Sequence, residues 1–147
     1  MGAPSFRSLD RAEIEALLTR HAVGRLAYAE GTGVQIEPIH YVYRDGWVFG
    51  RTQPGSKLTA LAHRPFVAFE VDEVDALFDW RSVVVRGAVY FLDPEGAPSE
   101  RERYATAVAA LRTLVPETLA HGDPVPFRQV VFGIHADDAT GRAASTA

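Results

Sequence analysis

The sequence contains no cysteine among its 147 residues, and this absence excludes disulfide bonds, thiol catalysis and cysteine metal sites. It also lacks an apolar run of the length that a membrane span requires, and residues 1–7 lack the apolar core of a signal peptide. The formal net charge of −4 gives no reason to expect a nucleic-acid partner. We therefore expect a cytoplasmic protein that binds neither a membrane nor a nucleic acid.

Familiar catalytic constellations are missing as well. The five histidines are scattered singly along the chain and do not show the spacing of metal ligands. No Ser-His-Asp arrangement and no pair of catalytic carboxylates stands out. The sequence thus identifies no catalytic residue and no metal ligand.

The composition, 47% hydrophobic and 23% charged, is typical of one globular domain that buries its own core. Apolar periodicity and turn signals predict roughly six strands, two main helices and one short helix. Most connections are too short for parallel crossovers, so the sheet should be antiparallel, and closing it into a barrel would remove exposed edges. We expect a mainly β (α+β) fold in one domain over residues 1–147, with frayed tails at residues 1–8 and 143–147.

The stretch from Trp47 to Glu73 organises the chain, and its pattern predicts a strand, a polar loop, a short helix and a second strand. Ser56 stands where the helix should begin, with Arg51, Thr52 and Lys57 close by in sequence. A helix start with a hydroxyl and cations suits a phosphate group, because unpaired N–H groups and the helix dipole favour an anion. The alternative is an ordinary N-cap at Ser56 beside surface charges. The order Ser56-Lys57 after Gly55 is the reverse of the nucleotide-binding P-loop, which excludes an NTPase.

A second candidate segment follows the strand that Pro38 interrupts. Proline cannot donate to a strand ladder and belongs at an edge or a bulge, where a backbone often turns toward a ligand. His40 and Tyr41 are therefore candidates for lining a pocket. An ordinary aromatic-rich strand is the alternative.

Four motifs in matching order resemble the pyridoxamine 5′-phosphate oxidase-like family, and its small nitroimidazole-reductase-like branch in particular. They are R-T-Q-P-G-S-K-L (51–58), V-A-F-E-V-D (67–72), W-R-S-V-V-V-R-G (80–87) and T-G-R (140–142). The resemblance runs from about Leu18 to Arg142. It implies a flavin-binding split β-barrel that forms a homodimer, with FMN held in clefts between the two protomers.

Carried over position by position, the resemblance implies contacts with each part of the cofactor. The residues implied to face the FMN phosphate are Arg51, Thr52, Ser56 and Lys57, with Leu58 in the same matched stretch. Those implied to lie along the isoalloxazine ring are Pro38, Ile39, His40 and Tyr41. Those implied to approach the flavin or its neighbouring loop, in part across the dimer interface, are Trp80, Ser82 and Val83. Arg142 would close over the site.

Two positions depart from the family pattern. Haem-binding members often carry a histidine where this chain has Gly50. Many relatives read W-S-V, whereas Arg81 here separates Trp80 from Ser82.

The resemblance implies an FMN-dependent oxidoreductase that passes electrons from a reduced nicotinamide to a small organic acceptor. A flavin carries its own redox chemistry, so the missing catalytic constellations are not an obstacle. The alternatives are a deazaflavin- or haem-binding relative on the same fold, or a flavin-binding dimeric module without activity.

Overall fold

A computed structural model describes residues 2–146 as nine strands and three helices. The helices are α1 (Arg11–Arg20), α2 (Ser56–His63) and α3 (Pro98–Leu114). The first five strands are β1 (Ser5–Ser8), β2 (Val23–Glu30), β3 (Gly33–His40), β4 (Val42–Arg44) and β5 (Trp47–Thr52). The remaining four are β6 (Phe66–Ala76), β7 (Asp79–Phe91), β8 (Val130–His135) and β9 (Asp138–Ser145).

Helix α1 begins at a capping box formed by Asp10 and Glu13. The backbone N–H of Glu13 donates to Asp10 Oδ1 at 2.8 Å, and the backbone N–H of Asp10 donates to Glu13 Oε1 at 3.2 Å. Helix α1 then buries Ile14, Leu17 and Leu18 against the sheet. With α3 as the second main helix and α2 as the short one, the predicted helix content is confirmed.

All strand pairs are antiparallel, and β7 organises them. One edge of β7 pairs with β6, while the other edge pairs with β9 over Trp80–Arg86 and with β8 over Val89–Phe91. The change of partner falls at Gly87, where an added Cβ would lie 2.8 Å from the His135 carbonyl oxygen. The path β3-β2-β6-β7-β8-β5-β4, with β9 and β1 branching from β7, makes a curled split barrel and confirms the expected fold class.

The strand count and the tails are corrections to the sequence-based expectation. Residues 2–146 form nine strands rather than six, and residues 5–8 and 143–145, expected to be frayed, lie in β1 and β9. These two strands pair from Ser5 opposite Ser145 to Ser8 opposite Arg142. Neither segment carries strong strand periodicity of its own, so each is ordered by pairing with a partner far away in the sequence.

The core has two parts that lie on opposite faces of β5 and β8, since Val48 and Phe132 belong to the larger part and Phe49 and Val131 to the smaller. Leu17, Leu18 and Leu26 are fully buried with their neighbours in the larger part, and full burial of one such side chain stabilises the fold by about 1.5–3 kcal/mol. The smaller part packs α3 against Phe49 of β5 and Val131 of β8. Within residues 2–146, no helix combines the length and the apolar character that crossing a membrane would need.

Candidate functional site

A cavity of about 610 Å³ lies between the end of β3, the end of β5 and the start of α2. This volume falls within the range of about 300–1,000 Å³ that is usual for small-molecule sites. Seven of the residues predicted from the sequence line it, namely Pro38, Ile39, His40, Arg51, Thr52, Ser56 and Lys57. The sequence reasoning missed the other lining residues, Val23, Tyr28, Glu37, Gln53, Pro54, Gly55, Phe127 and Arg128.

The start of α2 presents free hydrogen-bond donors to the cavity. Gly55 is the N-cap and provides no side-chain bond, and the first intrahelical bond runs from the Thr59 N–H to the Gly55 carbonyl at 3.2 Å. The N–H groups of Ser56, Lys57 and Leu58 therefore have no partner within the helix. Ser56 follows the cap, so the interpretation of Ser56 as an ordinary N-cap is wrong. Its exposed hydroxyl adds a further donor at the positive end of the helix dipole.

Arg51 reaches the cavity wall from β5, but its charge is already paired. Its guanidinium donates to both carboxylate oxygens of Asp123, at 2.6 and 2.8 Å, and the two side chains are only 8% and 2% exposed. Asp123 also accepts the backbone N–H groups of Leu119 and Val125 at 2.9 and 3.0 Å. The bond from Arg51 is the main cause that holds the pKa of Asp123 well below its usual range. Arg51 thus fastens the loop after α3 to the barrel.

Lys57 and Glu37 form an ion pair across the cavity mouth, from α2 to β3. Tyr28 lies behind this pair, where burial, followed by the nearby carboxylates of Glu37 and Glu30, raises the pKa of its phenol. Lys57 and Glu37 both remain partly exposed, at 22% and 36%, so water and an entering ligand can reach them. An anionic ligand that enters the cavity can therefore bind Lys57 while Glu37 remains paired with it.

Arg128 supplies a second cation to the cavity. Its guanidinium carbon lies 5.9 Å from the centre of the Phe127 ring, and both residues line the cavity. Across the described part of the chain, no carboxylate forms an ion pair with it. No local motif marks Arg128, because it reaches the site only through the fold of residues 115–129.

Six predicted residues lie away from the cavity, and three of them are in the core or within α2. Tyr41 is buried in the core, where its hydroxyl donates to the Leu18 carbonyl at 2.6 Å and burial raises its pKa. Val83 is also fully buried in the core. Leu58 is half-buried in α2 and is absent from the lining. Alternation along β7 explains the burial of Val83, since a strand directs successive side chains to opposite faces. Tyr41 lies between β3 and β4, and its ring packs edge-on against Phe69.

Trp80, Ser82 and Arg142 share the convex side of the sheet formed by β3, β2, β6, β7, β9 and β1, which we call the outer face. Ser82 pairs with Arg142 across β7 and β9, and Trp80 lies two residues before Ser82 on the same face. Trp80 contacts Phe6 of β1, with ring centres 6.3 Å apart. None of the three lines the cavity of the same chain.

A charged cluster interrupts the outer face near the middle of β6. Arg25 Nη1 lies 4.0 Å from Glu70 Oε1 and 3.6 Å from Asp72 Oδ1. Burial first, and then the hydrogen bond and charge of Asp72, raise the pKa of Glu70 to about 7, while Arg25 opposes the shift. This carboxyl therefore titrates near neutral pH.

Comparison with known proteins gives one family and a consistent set of solved structures. The family model for pyridoxamine 5′-phosphate oxidase matches residues 10–143. A FAD-binding protein from Mesorhizobium loti is 26% identical with a TM-score of 0.74, over 97% of this chain and 99% of that one. A FAD-binding protein from Mycobacterium smegmatis is 24% identical with a TM-score of 0.66, over 92% and 98%. No curated protein matches the sequence significantly.

A structure described as a putative 5-nitroimidazole antibiotic resistance protein from Bacteroides thetaiotaomicron shares the fold. It is 17% identical with a TM-score of 0.73, over 97% of this chain and 89% of that one. The curled antiparallel sheet thus defines a split-barrel protein, with a cavity beside α2. The chain belongs to the pyridoxamine 5′-phosphate oxidase family, as the sequence motifs indicate.

Proposed function

We propose that this chain binds a flavin nucleotide in the cavity beside α2 and acts as an FMN-dependent oxidoreductase. The observation that carries this proposal is the start of α2, where unpaired N–H groups, the Ser56 hydroxyl and Lys57 converge on a cavity of about 610 Å³. The Mesorhizobium loti relative, described as FAD-binding and similar over almost the whole of both chains, supports a flavin as the ligand.

The phosphate end of the flavin fits the residues at the start of α2. Ser56 and Lys57 would donate to the phosphate oxygens together with the helix N–H groups, and Thr52 lies at the end of β5 beside them. Arg51 stays bonded to Asp123 and would shape this end of the cavity from behind. Arg128 is a further cation in the lining of the cavity.

The ring end fits the edge formed by Pro38, Ile39 and His40 of β3, with Phe127 as an apolar neighbour. The flavin, when bound, supplies the redox chemistry, including electron transfer from a reduced nicotinamide to a small organic acceptor. The chain has to bind it, orient it and keep water from it. That division of roles agrees with a cavity that holds no catalytic triad and no pair of free carboxylates among its described residues.

A homodimer would complete the site, because the outer face is too apolar to be free. Val34 on β3 is 78% exposed, and Phe66 on β6 is 76% exposed, with β2 between these two strands. The other exposed apolar residues on it are Phe6, Val23, Ile36 and Val74. Large exposed apolar patches mark interaction sites, and a stable interface buries about 1,600 Å² in total. Pro38 and His40 line the cavity at the border of this face, so a second copy would bring its own Trp80, Ser82 and Arg142 toward the flavin.

FAD is the second candidate cofactor, because the two structural relatives above are described as FAD-binding. A deazaflavin cofactor has the same kind of phosphate end and would use the same donors at α2. A haem ligand at Gly50 is disfavoured, since an added Cβ there would lie 2.7 Å from Cζ of Phe132. Gly50 itself has no side chain that could bind a haem iron.

Two measurements test the proposal. Mass spectrometry of the small molecule released from purified protein identifies the cofactor, and titration of the apoprotein with FMN, FAD and deazaflavin ranks the three. We expect an FMN-sized flavin and steady oxidation of reduced nicotinamide once an acceptor is present. A protein that binds no flavin even with the cofactor in excess contradicts the proposal, and binding without turnover reduces it to a flavin-binding module.

A variant at the N-cap separates stability from binding. Gly55→Asp places a carboxylate where a Cβ meets open space, so the helix gains a capping side chain while the anion site gains a negative charge. We expect unchanged or higher stability together with flavin binding at least about tenfold weaker. Gly33→Asp, an exposed glycine at the start of β3, is the matched control and should bind flavin normally. Equal flavin affinity in the two variants contradicts a phosphate site at α2.

A further inference from the structure

A second cavity of about 270 Å³ lies behind the flavin cavity, and we call it the annex. It shares His40, Arg51 and Arg128 with the larger cavity, so these side chains stand between the two spaces. Its remaining lining comes from the end of α3 and the loop that follows, segments to which the flavin assignment gives no role. The annex is thus a separate space that opens onto the same site.

The walls of the annex are mainly aliphatic. They come from Leu111, Leu114, Val115 and Val125. The volume lies just below the range of about 300–1,000 Å³ of sites for drug-sized molecules, so the annex suits a ligand with one ring. An apolar ring gains affinity here by leaving water, at about 25 cal/mol for each Å² of apolar surface removed.

The polar groups of the annex are donors, and two of them are already used. The hydroxyl of Thr118 donates to the Val115 carbonyl at 2.6 Å, and the guanidinium of Arg51 is bonded to Asp123 at 2.6 and 2.8 Å. Arg128 and His40 remain at the border with the flavin cavity. A guanidinium there favours a planar, negatively charged acceptor, because two of its N–H groups can donate to the two oxygens of a carboxylate.

We infer that the annex binds a one-ring aromatic carboxylate, with the ring between the aliphatic walls and the carboxylate at Arg128. Such a ligand would lie beside the flavin with its polar end toward it, and its role as the substrate of this site rests on the proposed function. The binding itself does not, since every group that makes it belongs to the chain.

Benzoate is the probe, and benzamide is its neutral counterpart of the same shape. Binding of both to the apoprotein is measured by ligand-observed NMR, and binding to the flavin-loaded protein by the change in the visible flavin spectrum. We expect benzoate to bind both forms and to bind at least about tenfold more tightly than benzamide. Absence of benzoate binding, or equal binding of the two probes, overturns the inference, and it leaves flavin binding untouched.

Two variants locate the site. Val125→Trp fills the annex and should abolish benzoate binding, while Ala120→Trp, an exposed position in the same loop, is the control and should keep it. Arg128→Gln keeps the aliphatic walls, and should lower the affinity for benzoate to that for benzamide, so it tests the inference even where Val125→Trp fails to fold. Benzoate binding that survives both Val125→Trp and Arg128→Gln refutes the annex as its site.

The flavin affinity of the same proteins keeps the two proposals apart. Val125→Trp should bind FMN and FAD as the wild type does. A loss confined to FAD would assign the annex to the adenosine half of that cofactor and would overturn the inference. Benzoate binding without any flavin binding would support the annex and refute the proposed function.

Discussion

Replacing Arg51 separates a structural role from a role in cofactor binding. Arg51 makes two charge-assisted bonds to Asp123 and a longer one, 3.4 Å, to the Arg128 carbonyl, and its side chain is 8% exposed. Arg51→Met keeps much of the side-chain volume but leaves a buried carboxylate without its cation. Breaking a buried ion pair by removing one partner costs about 3–5 kcal/mol, a large share of the stability of a domain of this size.

Urea unfolding followed by circular dichroism measures the loss, with Arg101→Met on the exposed surface of α3 as the control, expected within about 0.5 kcal/mol of wild type. The double variant Arg51→Met/Asp123→Asn should be more stable than Arg51→Met alone, because no uncompensated charge remains. Flavin affinity, measured where all proteins are folded, should change far less than stability. If Arg51→Met is as stable as the wild type but no longer binds flavin, the structural role is refuted and Arg51 is a phosphate ligand.

Three further predictions concern the mouth of the cavity and the outer face. Lys57→Ala should weaken FMN binding by about 1.5–3 kcal/mol, whereas Glu37→Gln, which frees Lys57 from its partner, should strengthen it. Isothermal titration measures both affinities. An unchanged dissociation constant in Lys57→Ala would place this residue outside the site. Glu70 has its folded pKa raised from 4.5 to about 7, so the stability that its proton contributes is fully present below about pH 4.5 and is lost as the pH rises through 7. Glu70→Gln should therefore be more stable than wild type at pH 8, by about 1 kcal/mol after allowance for solvent screening, and no more stable at pH 4.5. Urea unfolding at the two pH values measures the difference. An equal gain at pH 8 and pH 4.5 would contradict the raised pKa of Glu70 as its cause. Phe66→Asp on the outer face should shift sedimentation from dimer to monomer, and a monomeric wild type at micromolar concentration would argue against the dimer.

The features that could be predicted from the sequence are those that local chemistry determines. The polar loop before Ser56 acts over a few residues, and a helix starts there as expected. The Asp10-Glu13 capping box that starts α1 is equally local. The antiparallel fold class follows in the same way from short connections between strands. The position at which α2 begins can therefore be predicted from the sequence.

The features that could not be predicted depend on partners far away in the sequence. The carboxylate that pairs with Arg51 lies 72 residues away, so a cation in the right loop looked available when it was not. Arg128 entered the cavity without any motif, and β1 is a strand only because β9 lies beside it. Local patterns indicate which groups are present near a site, while the fold decides which of them are free.

The predicted contacts of Trp80, Ser82 and Arg142 can be reconciled with the cavity only through a second copy of the chain. Arg142 on β9 is four strands from β3, and at about 4.8 Å per strand it lies roughly 19 Å from the edge that carries Pro38. An arginine side chain does not span that distance across its own outer face, but a second copy packed on this face can present the same residue directly to the cavity. Cofactor binding and dimerisation would then share one set of contacts. Because coupling between two binding equilibria is reciprocal, the factor by which flavin tightens the dimer must equal the factor by which the dimer tightens flavin.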